Sequence, residues 1–180
     1  ARVLALRKLA IDDEKWQTAL AGGFNRFSFG VQSFNTAVRQ QAARFDDRET
    51  LLARLGELTR DDAAVIVADL IFGVPGQDDA LWRQDIADVM ASGVHGVDLY
   101  QLIPMQGTNL DRAQEKGRLG WCADGQQRAA MYAYGAHTLE QGGWQRLSCS
   151  HWRQGEAEQS RYNQMAKRGA EILPFGAGAG

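Results

Sequence analysis

The segment AVIVADLIFGVPGQ, residues 64–77, joins a strand-forming run of branched apolar residues to a turn-forming Gly-Val-Pro-Gly stretch. One charged residue, Asp69, interrupts the apolar run. Since side chains alternate along a strand, Asp69 shares a face with Val65 and Val67, in the strand half where parallel sheets and barrels carry their sites. A buried carboxylate there needs donors from a ligand or a neighbouring side chain; the alternative is a structural Asp bonded to the turn.

Predicted strands and helices alternate on both sides of this segment. The strands are residues 2–9, FNRFSFGVQ (24–32), AVIVADLIF (64–72) and GVDLYQLIP (96–104). The helices are IDDEKWQTALAGG (11–23), RETLLARLGELT (48–59) and ALWRQDIADVMASG (80–93). This alternation predicts an α/β fold of βα units around a parallel sheet.

The rhythm changes after residue 104. A polar stretch leads to a predicted helix, DGQQRAAMYAYGAHTLEQGG (124–143), and then to WQRLSCSHW (144–152), which we interpret as a strand of a different layer. We therefore expect two domains: residues 1–104 as the later βα units of a partial barrel, and residues 105–180 as an appended α+β region on the substrate side.

The strand predicted at 24–32 has one apolar and one polar face. Alternation puts Phe27, Phe29 and Val31 on one face and Arg26, Ser28, Gly30 and Gln32 on the other. Helices should cover the aromatic face. The polar face should then look into a barrel wide enough to hold a ligand, because a closed barrel without one is filled by branched apolar side chains.

Composition excludes several classes of protein. A net charge of -2, with 44% hydrophobic and 23% charged residues, favours neither nucleic acid nor anionic membrane as a partner. The sequence contains no apolar run long enough for a membrane span. Cys122 and Cys149 match no metal-ligand spacing and no secreted-type framework, so we expect structural thiols and a cytoplasmic location.

Several motifs together resemble a known family. GFNRFSFGVQSF (23–34), Arg44, DLIFGVPGQ (69–77) and GVDLYQLIPMQGTNL (96–110) resemble radical S-adenosylmethionine (SAM) enzymes of the oxygen-independent coproporphyrinogen dehydrogenase and haem chaperone superfamily. SCSHWRQGEAEQSRYN (148–163) and the terminal PFGAGAG are similar to its haem-utilisation methyltransferase branch. The resemblance implies the C-terminal part of a TIM-like radical SAM barrel.

The resemblance also implies cofactor contacts. Gln32, Arg44 and Asp69 match family positions that bind SAM, and Ile103 matches one that contacts it through backbone or apolar atoms. The residue types suit these roles, because an acid can bind ribose hydroxyls or an ammonium, a guanidinium can bind the methionine carboxylate, and Gln is both donor and acceptor. Arg44 has an alternative interpretation as a solvated Arg beside an acidic helix start.

Three residues are candidates for the substrate side. His151 is a candidate axial ligand or proton donor near a porphyrin, and Trp152 and Tyr162 add planar apolar area that suits a flat tetrapyrrole. The alternative for His151 is a hydrogen-bonded structural residue.

The family's three-cysteine loop, C-x-x-x-C-x-x-C, which holds a [4Fe-4S] cluster, does not occur in these residues. We expect the cluster ligands upstream of Ala1 and no metal site in this segment. The alternative is an intact chain that has lost its cluster.

The function expected from the resemblance is methyl transfer to haem with anaerobic ring opening, for haem utilisation and iron acquisition. Such an enzyme needs SAM, a [4Fe-4S] cluster and an electron donor such as flavodoxin, and this segment alone should be inactive. The alternatives are a haem chaperone, an oxygen-independent coproporphyrinogen III dehydrogenase and, in another class, a cluster-free haem-binding module.

Overall fold

The computed structural model describes residues 2–6, 11–41 and 44–171. Within these ranges the chain forms a sheet of six strands in the order β1-β2-β3-β4-β6-β5. The strands are β1 Val3–Leu6, β2 Arg26–Gln32, β3 Val65–Phe72, β4 Gly96–Gln101, β5 Gln145–Arg146 and β6 His151–Arg153. The first four are parallel and follow one another in sequence, whereas β6 is antiparallel to β4, and β5 to β6. The expected α/β partial barrel is confirmed.

Helices connect the parallel strands, and further helices follow β4. They are α1 Asp13–Ala21, α2 Thr36–Gln41, α3 Arg48–Arg60, α4 Asp79–Ala91, α5 Asn109–Glu115, α6 Gly125–Gln141 and α7 Arg161–Lys167. Asp12, Asp47, Asp78 and Asp124 accept a backbone N–H at the starts of α1, α3, α4 and α6, as N-cap residues do. These four helices are the ones that the sequence predicts; the shorter α2, α5 and α7 were not predicted.

One face of the sheet, which we call the outer face, packs against the helices. Its side chains on β2 are Phe27, Phe29 and Val31, as predicted, and all are buried in one apolar core with α3 and α4. Burial of each such side chain stabilises the fold by about 1.5–3 kcal/mol. The other face, the inner face, therefore carries Arg26, Ser28 and Gly30.

The turn after β3 is closed by side-chain hydrogen bonds. Gly73 and Gly76 have φ values of 81° and 75°, which glycine adopts without strain. The Gly73 N–H donates to Gln77 Oε1 at 2.9 Å, and Gln77 Nε2 donates to Asp85 Oδ2 at 3.0 Å. The turn thus ends β3 and is anchored to α4 through Asp85.

Asp85 also anchors the segment after β2. It accepts hydrogen bonds from the Phe34 N–H at 2.7 Å and from Ser33 Oγ at 2.9 Å. Burial raises the pKa of this carboxyl to about 6, against the lowering effect of its hydrogen bonds. Asp85 therefore has a structural role, since its hydrogen bonds hold the C-terminal ends of β2 and β3 in fixed positions relative to each other.

The prediction of a strand in a different layer at 144–152 is wrong. This segment is a hairpin, in which the Leu147 N–H donates to the His151 carbonyl at 2.8 Å, and β6 continues the main sheet beside β4. The open edge of β4 offers unpaired backbone groups, so the hairpin joins it rather than starting a new layer. The domain boundary at residue 104 stays a prediction, and the sheet runs across it. Of the strand predicted at 2–9, residues 7–10 lie outside the described part.

Candidate functional site

Four inner-face residues form a row across the sheet. The strand register pairs Gly30 of β2 with Asp69 of β3, Asp69 with Asp98 of β4, and Asp98 with His151 of β6. Asp69 and His151 were predicted from the sequence as candidate site residues, whereas Asp98 was not. The signal for Asp98 was present, because it interrupts an apolar strand in the same way as Asp69.

Asp69 is partly buried and accepts one hydrogen bond from Ser28. The Ser28 hydroxyl donates to Oδ1 at 2.7 Å, and within the described ranges Oδ2 has no hydrogen-bond partner. Burial raises the pKa of Asp69 to about 6; the Ser28 hydrogen bond opposes this change, and the charge of Asp98 adds to it. Asp69 is thus a carboxyl with a free oxygen and an unfavourable environment for its charge.

His151 lies between two carboxylates, with only 1% of its surface exposed. Its Nδ1 is 3.1 Å from Asp98 Oδ1, and its Nε2 is 3.6 Å from Glu158 Oε1. Neither contact is an aligned hydrogen bond, so both are ion-pair contacts. Burial lowers the pKa of His151, but the two carboxylates outweigh it and raise the pKa to about 9. The ring is therefore an imidazolium at neutral pH.

The segment after β6 brings Glu158 against the inner face. Arg26 Nε donates to Glu158 Oε2 at 2.7 Å. Burial would raise the pKa of Glu158, but His151 and Arg26 prevail and lower it to about 2. Gly96 makes room for this arrangement, since a Cβ there would lie 3.1 Å from Glu158 Cγ and 3.2 Å from His151 Cε1.

The four predicted SAM contacts lie at or beyond the C-terminal halves of the strands, or in a nearby loop. Gln32 ends β2 after a register shift, with φ 72°, and lines a cavity of about 340 Å³ together with Ile71 and Leu102. Ile103 follows β4 and is 70% exposed. Arg44 follows α2, and its N–H donates to the Arg39 carbonyl at 3.1 Å. Asp69 belongs to the inner-face row and does not line this cavity.

The structure separates the predicted substrate residues. Trp152 is on the outer face, completely buried, with its ring centroid 6.1 Å from that of Tyr132 and its Nε1 donating to Glu140 at 3.4 Å. His151 is its neighbour in sequence but faces inward. The side chain of Tyr162 lies outside the described part. With both nitrogens against carboxylates, His151 suits proton donation better than ligation of a haem iron.

Cys122 and Cys149 are both free thiols. Across the described residues, no three His, Cys, Asp or Glu side chains are grouped so that they could hold a metal ion. In the same part of the chain, no helix combines the length and apolar character needed to cross a membrane.

Comparison with known proteins relates the chain to haem and porphyrin enzymes, although no family model matches it. It is 40% identical to anaerobilin synthase of Escherichia coli O157:H7 over 174 residues, which are 97% of this chain and 39% of that protein. The chain belongs to the radical SAM superfamily. The heme chaperone HemW of Synechocystis sp. is another radical SAM relative, 27% identical over 87% of this chain and 38% of that protein. The mitochondrial radical S-adenosyl methionine domain-containing protein 1 of Danio rerio is 29% identical over 87% of this chain and 35% of that protein.

Two solved structures share the fold. Coproporphyrinogen III oxidase (HemN) of Escherichia coli superposes with a TM-score of 0.74 at 21% identity, over 93% of this chain and 37% of that one. Elp3 of Methanocaldococcus infernus superposes with a TM-score of 0.65 at 17% identity, over 74% of this chain and 32% of that one. This radical SAM chain thus spans less than two fifths of the length of each protein named above and corresponds to part of the barrel.

Proposed function

We propose that the full-length protein is a radical SAM enzyme that transfers a methyl group to haem and opens the macrocycle without oxygen, for haem utilisation and iron acquisition. One observation carries this proposal, namely the 40% identity with anaerobilin synthase along 97% of the chain. The polar inner face adds support, because a barrel without a ligand would carry branched apolar side chains there.

In this proposal, Gln32, Arg44, Asp69 and Ile103 hold SAM. The fit is chemically sound at Asp69, whose Oδ2 is free to accept from a ribose hydroxyl or a cationic group. It is also sound at Gln32, which lines a cavity within the usual size range of ligand pockets, about 300–1,000 Å³. Arg44 would bind the methionine carboxylate, and the exposed Ile103 would cover the ligand from the end of β4.

The residues present do not fit a [4Fe-4S] cluster, because the chain contains only two cysteines, at positions 122 and 149. We propose that the cluster is held by the part of the full-length protein that aligns outside this chain, and that an electron donor such as flavodoxin reduces it. SAM bound beside a reduced cluster supplies radical chemistry. The free thiols support a cytoplasmic location.

On the substrate side, we propose that His151 donates protons near the tetrapyrrole. Its charge and burial support this role. Trp152 would contribute by packing behind β6, and Tyr162 stays a candidate for contact with the tetrapyrrole.

An anaerobic assay of the full-length protein with SAM, reductant and haem tests the proposal. We expect a methylated, ring-opened tetrapyrrole by mass spectrometry, and Asp69→Asn should lower the affinity for SAM by about tenfold or more. The control Asp78→Asn removes the same charge at the α4 N-cap, where Asn caps about as well.

Other outcomes distinguish the alternatives. Tight haem binding and release without product would indicate a haem chaperone. Oxidative decarboxylation of coproporphyrinogen would indicate the dehydrogenase. Haem binding by a full-length protein that has no three-cysteine loop would indicate a cluster-free module.

A further inference from the structure

Two inner-face carboxylates lie side by side. Asp69 and Asp98 are register partners on the adjacent parallel strands β3 and β4, so their side chains project from neighbouring positions of one face. Like charges directly opposite each other are destabilising unless cations neutralise them. The arrangement therefore needs a counter-charge.

His151 supplies a counter-charge to one of the two. It is 1% exposed, it has no aligned hydrogen bond on either ring nitrogen, and its Nδ1 is 3.1 Å from Asp98 Oδ1. Glu158 and Arg26 form a second ion pair behind it, at 2.7 Å. A buried histidine aimed at Asp98 is an observation independent of the acidic pair, and it fixes the position of the Asp98 carboxyl.

Among the described residues, the ion pairs of the inner face leave one carboxylate without a counter-charge. Asp98 is balanced by His151, and Glu158 is balanced by Arg26. Asp69 has a neutral donor, Ser28, and no ion pair with any described residue. A cationic ligand group beside Asp69 and its register partner Asp98 would supply the missing counter-charge.

We propose that Asp98 is a further binding residue, which joins Asp69 in holding a cationic group of the ligand, and that His151 is its positioning residue. This inference rests on the proposed function, in which the ligand is SAM. SAM carries two cationic groups, the sulfonium and the ammonium, and either would be attracted to a pair of carboxylates in a partly buried site.

Three ligands separate these groups in binding measurements on the full-length, cluster-loaded protein under anaerobic conditions. SAM has both cations, S-adenosylhomocysteine has only the ammonium, and 5′-methylthioadenosine has neither. If the two carboxylates bind the sulfonium, Asp98→Asn should lower the affinity for SAM by about tenfold and leave the affinity for S-adenosylhomocysteine unchanged. If they bind the ammonium, Asp98→Asn should lower the affinity for SAM and for S-adenosylhomocysteine and leave the affinity for 5′-methylthioadenosine unchanged.

The inference is overturned if Asp98→Asn lowers the affinity for all three ligands equally, or if it changes none of the three affinities. Asp78→Asn, which removes a charge away from the inner face, is the control and should change no affinity. The double variant Asp98→Asn/His151→Gln removes two opposite charges together and gives the same comparison if the single variant is unstable. A wild-type protein that binds no SAM would refute the proposed function itself, whereas a wild type that binds SAM with an Asp98→Asn variant that binds it equally well refutes only this inference.

The positioning role of His151 has its own test, the pH dependence of SAM affinity. The groups facing Asp69 are Asp98 and Tyr100 of β4, His151 of β6, and Arg26 and Ser28 of β2. In the wild type, affinity should fall as the pH drops through about 6, where Asp69 takes up a proton. His151→Gln removes a positive charge that lowers the pKa of Asp69, so Asp69 should protonate at a higher pH and the fall in affinity should move to a higher pH. A loss of affinity that is equal at every pH would indicate a merely structural role and overturn the assignment.

Discussion

The two faces of this sheet are built from the same strands and differ in almost every physical property. On the outer face, consecutive strands present Phe29, Ala68 and Leu99, all buried among apolar helix residues. On the inner face, the register partners are Asp69 and Asp98. Because side chains alternate, a shift of one residue along a strand passes from core to site. His151 and Trp152 illustrate this, one in an ion-pair network and the other in the core.

The comparison shows where stability comes from and where it is lost. Burial of apolar side chains on the outer face is favourable at about 25 cal/mol per Å². Burial of Asp69 is unfavourable, and raises its pKa to about 6. The outer face therefore offsets the cost of a charged inner face, which is the usual relation between a scaffold and a functional site.

The largest expected effect is on the outer face. Phe29→Ala removes a ring with no exposed surface that stacks near Phe27 at 6.4 Å between centroids, and should destabilise the fold by about 3–5 kcal/mol. Ser28→Ala, one residue away on the inner face, removes a single hydrogen bond to Asp69 and should cost about 1 kcal/mol. Denaturant unfolding of the full-length protein measures both, and equal costs would contradict the distinction between the faces.

The second effect depends on pH and belongs to the inner face. The pKa of His151 is raised from 6.5 to about 9, so its contribution to stability is fully present below pH 6.5 and is lost as the pH rises through 9. The stability difference between wild type and His151→Gln should therefore shrink over this interval by on the order of 3 kcal/mol. His137→Gln, an exposed histidine of α6, is the control. A difference that stays constant from pH 6 to pH 9.5 would show that His151 is not held as a cation.

Much of this contrast could be predicted from the sequence. Alternation in 24–32 and the interrupting Asp69 in 64–72 indicated an apolar and a polar face, and both were found. These predictions succeed because strand periodicity is a local property, which a few neighbouring residues determine.

The ion-pair network could not be predicted in the same way. Arg26 and Glu158 meet across 132 residues of sequence, and Glu158 lies in a segment without regular structure. The hairpin at 144–152 was misinterpreted for a related reason, because nothing local indicates that it adds to the edge of β4. Long-range pairing depends on the assembled sheet, so Asp98 became a candidate binding residue only when the structure placed His151 beside it.

The smallest effect tests how tightly the inner face is packed. Gly96→Ala would place a Cβ 3.1 Å from Glu158 Cγ and 3.2 Å from both His151 Cε1 and Val67 Cγ2, so we expect a cost of about 1–2 kcal/mol from overpacking. Gly56→Ala in α3 has no atom within 4 Å of the added Cβ and should stabilise the protein by about 0.5–1 kcal/mol through helix propensity. Opposite signs in thermal unfolding of the full-length protein are expected. If Gly96→Ala were also stabilising, the segment that carries Glu158 would have room to move away from the sheet. Glu158 would then hold His151 against Asp98 less firmly than the distances indicate.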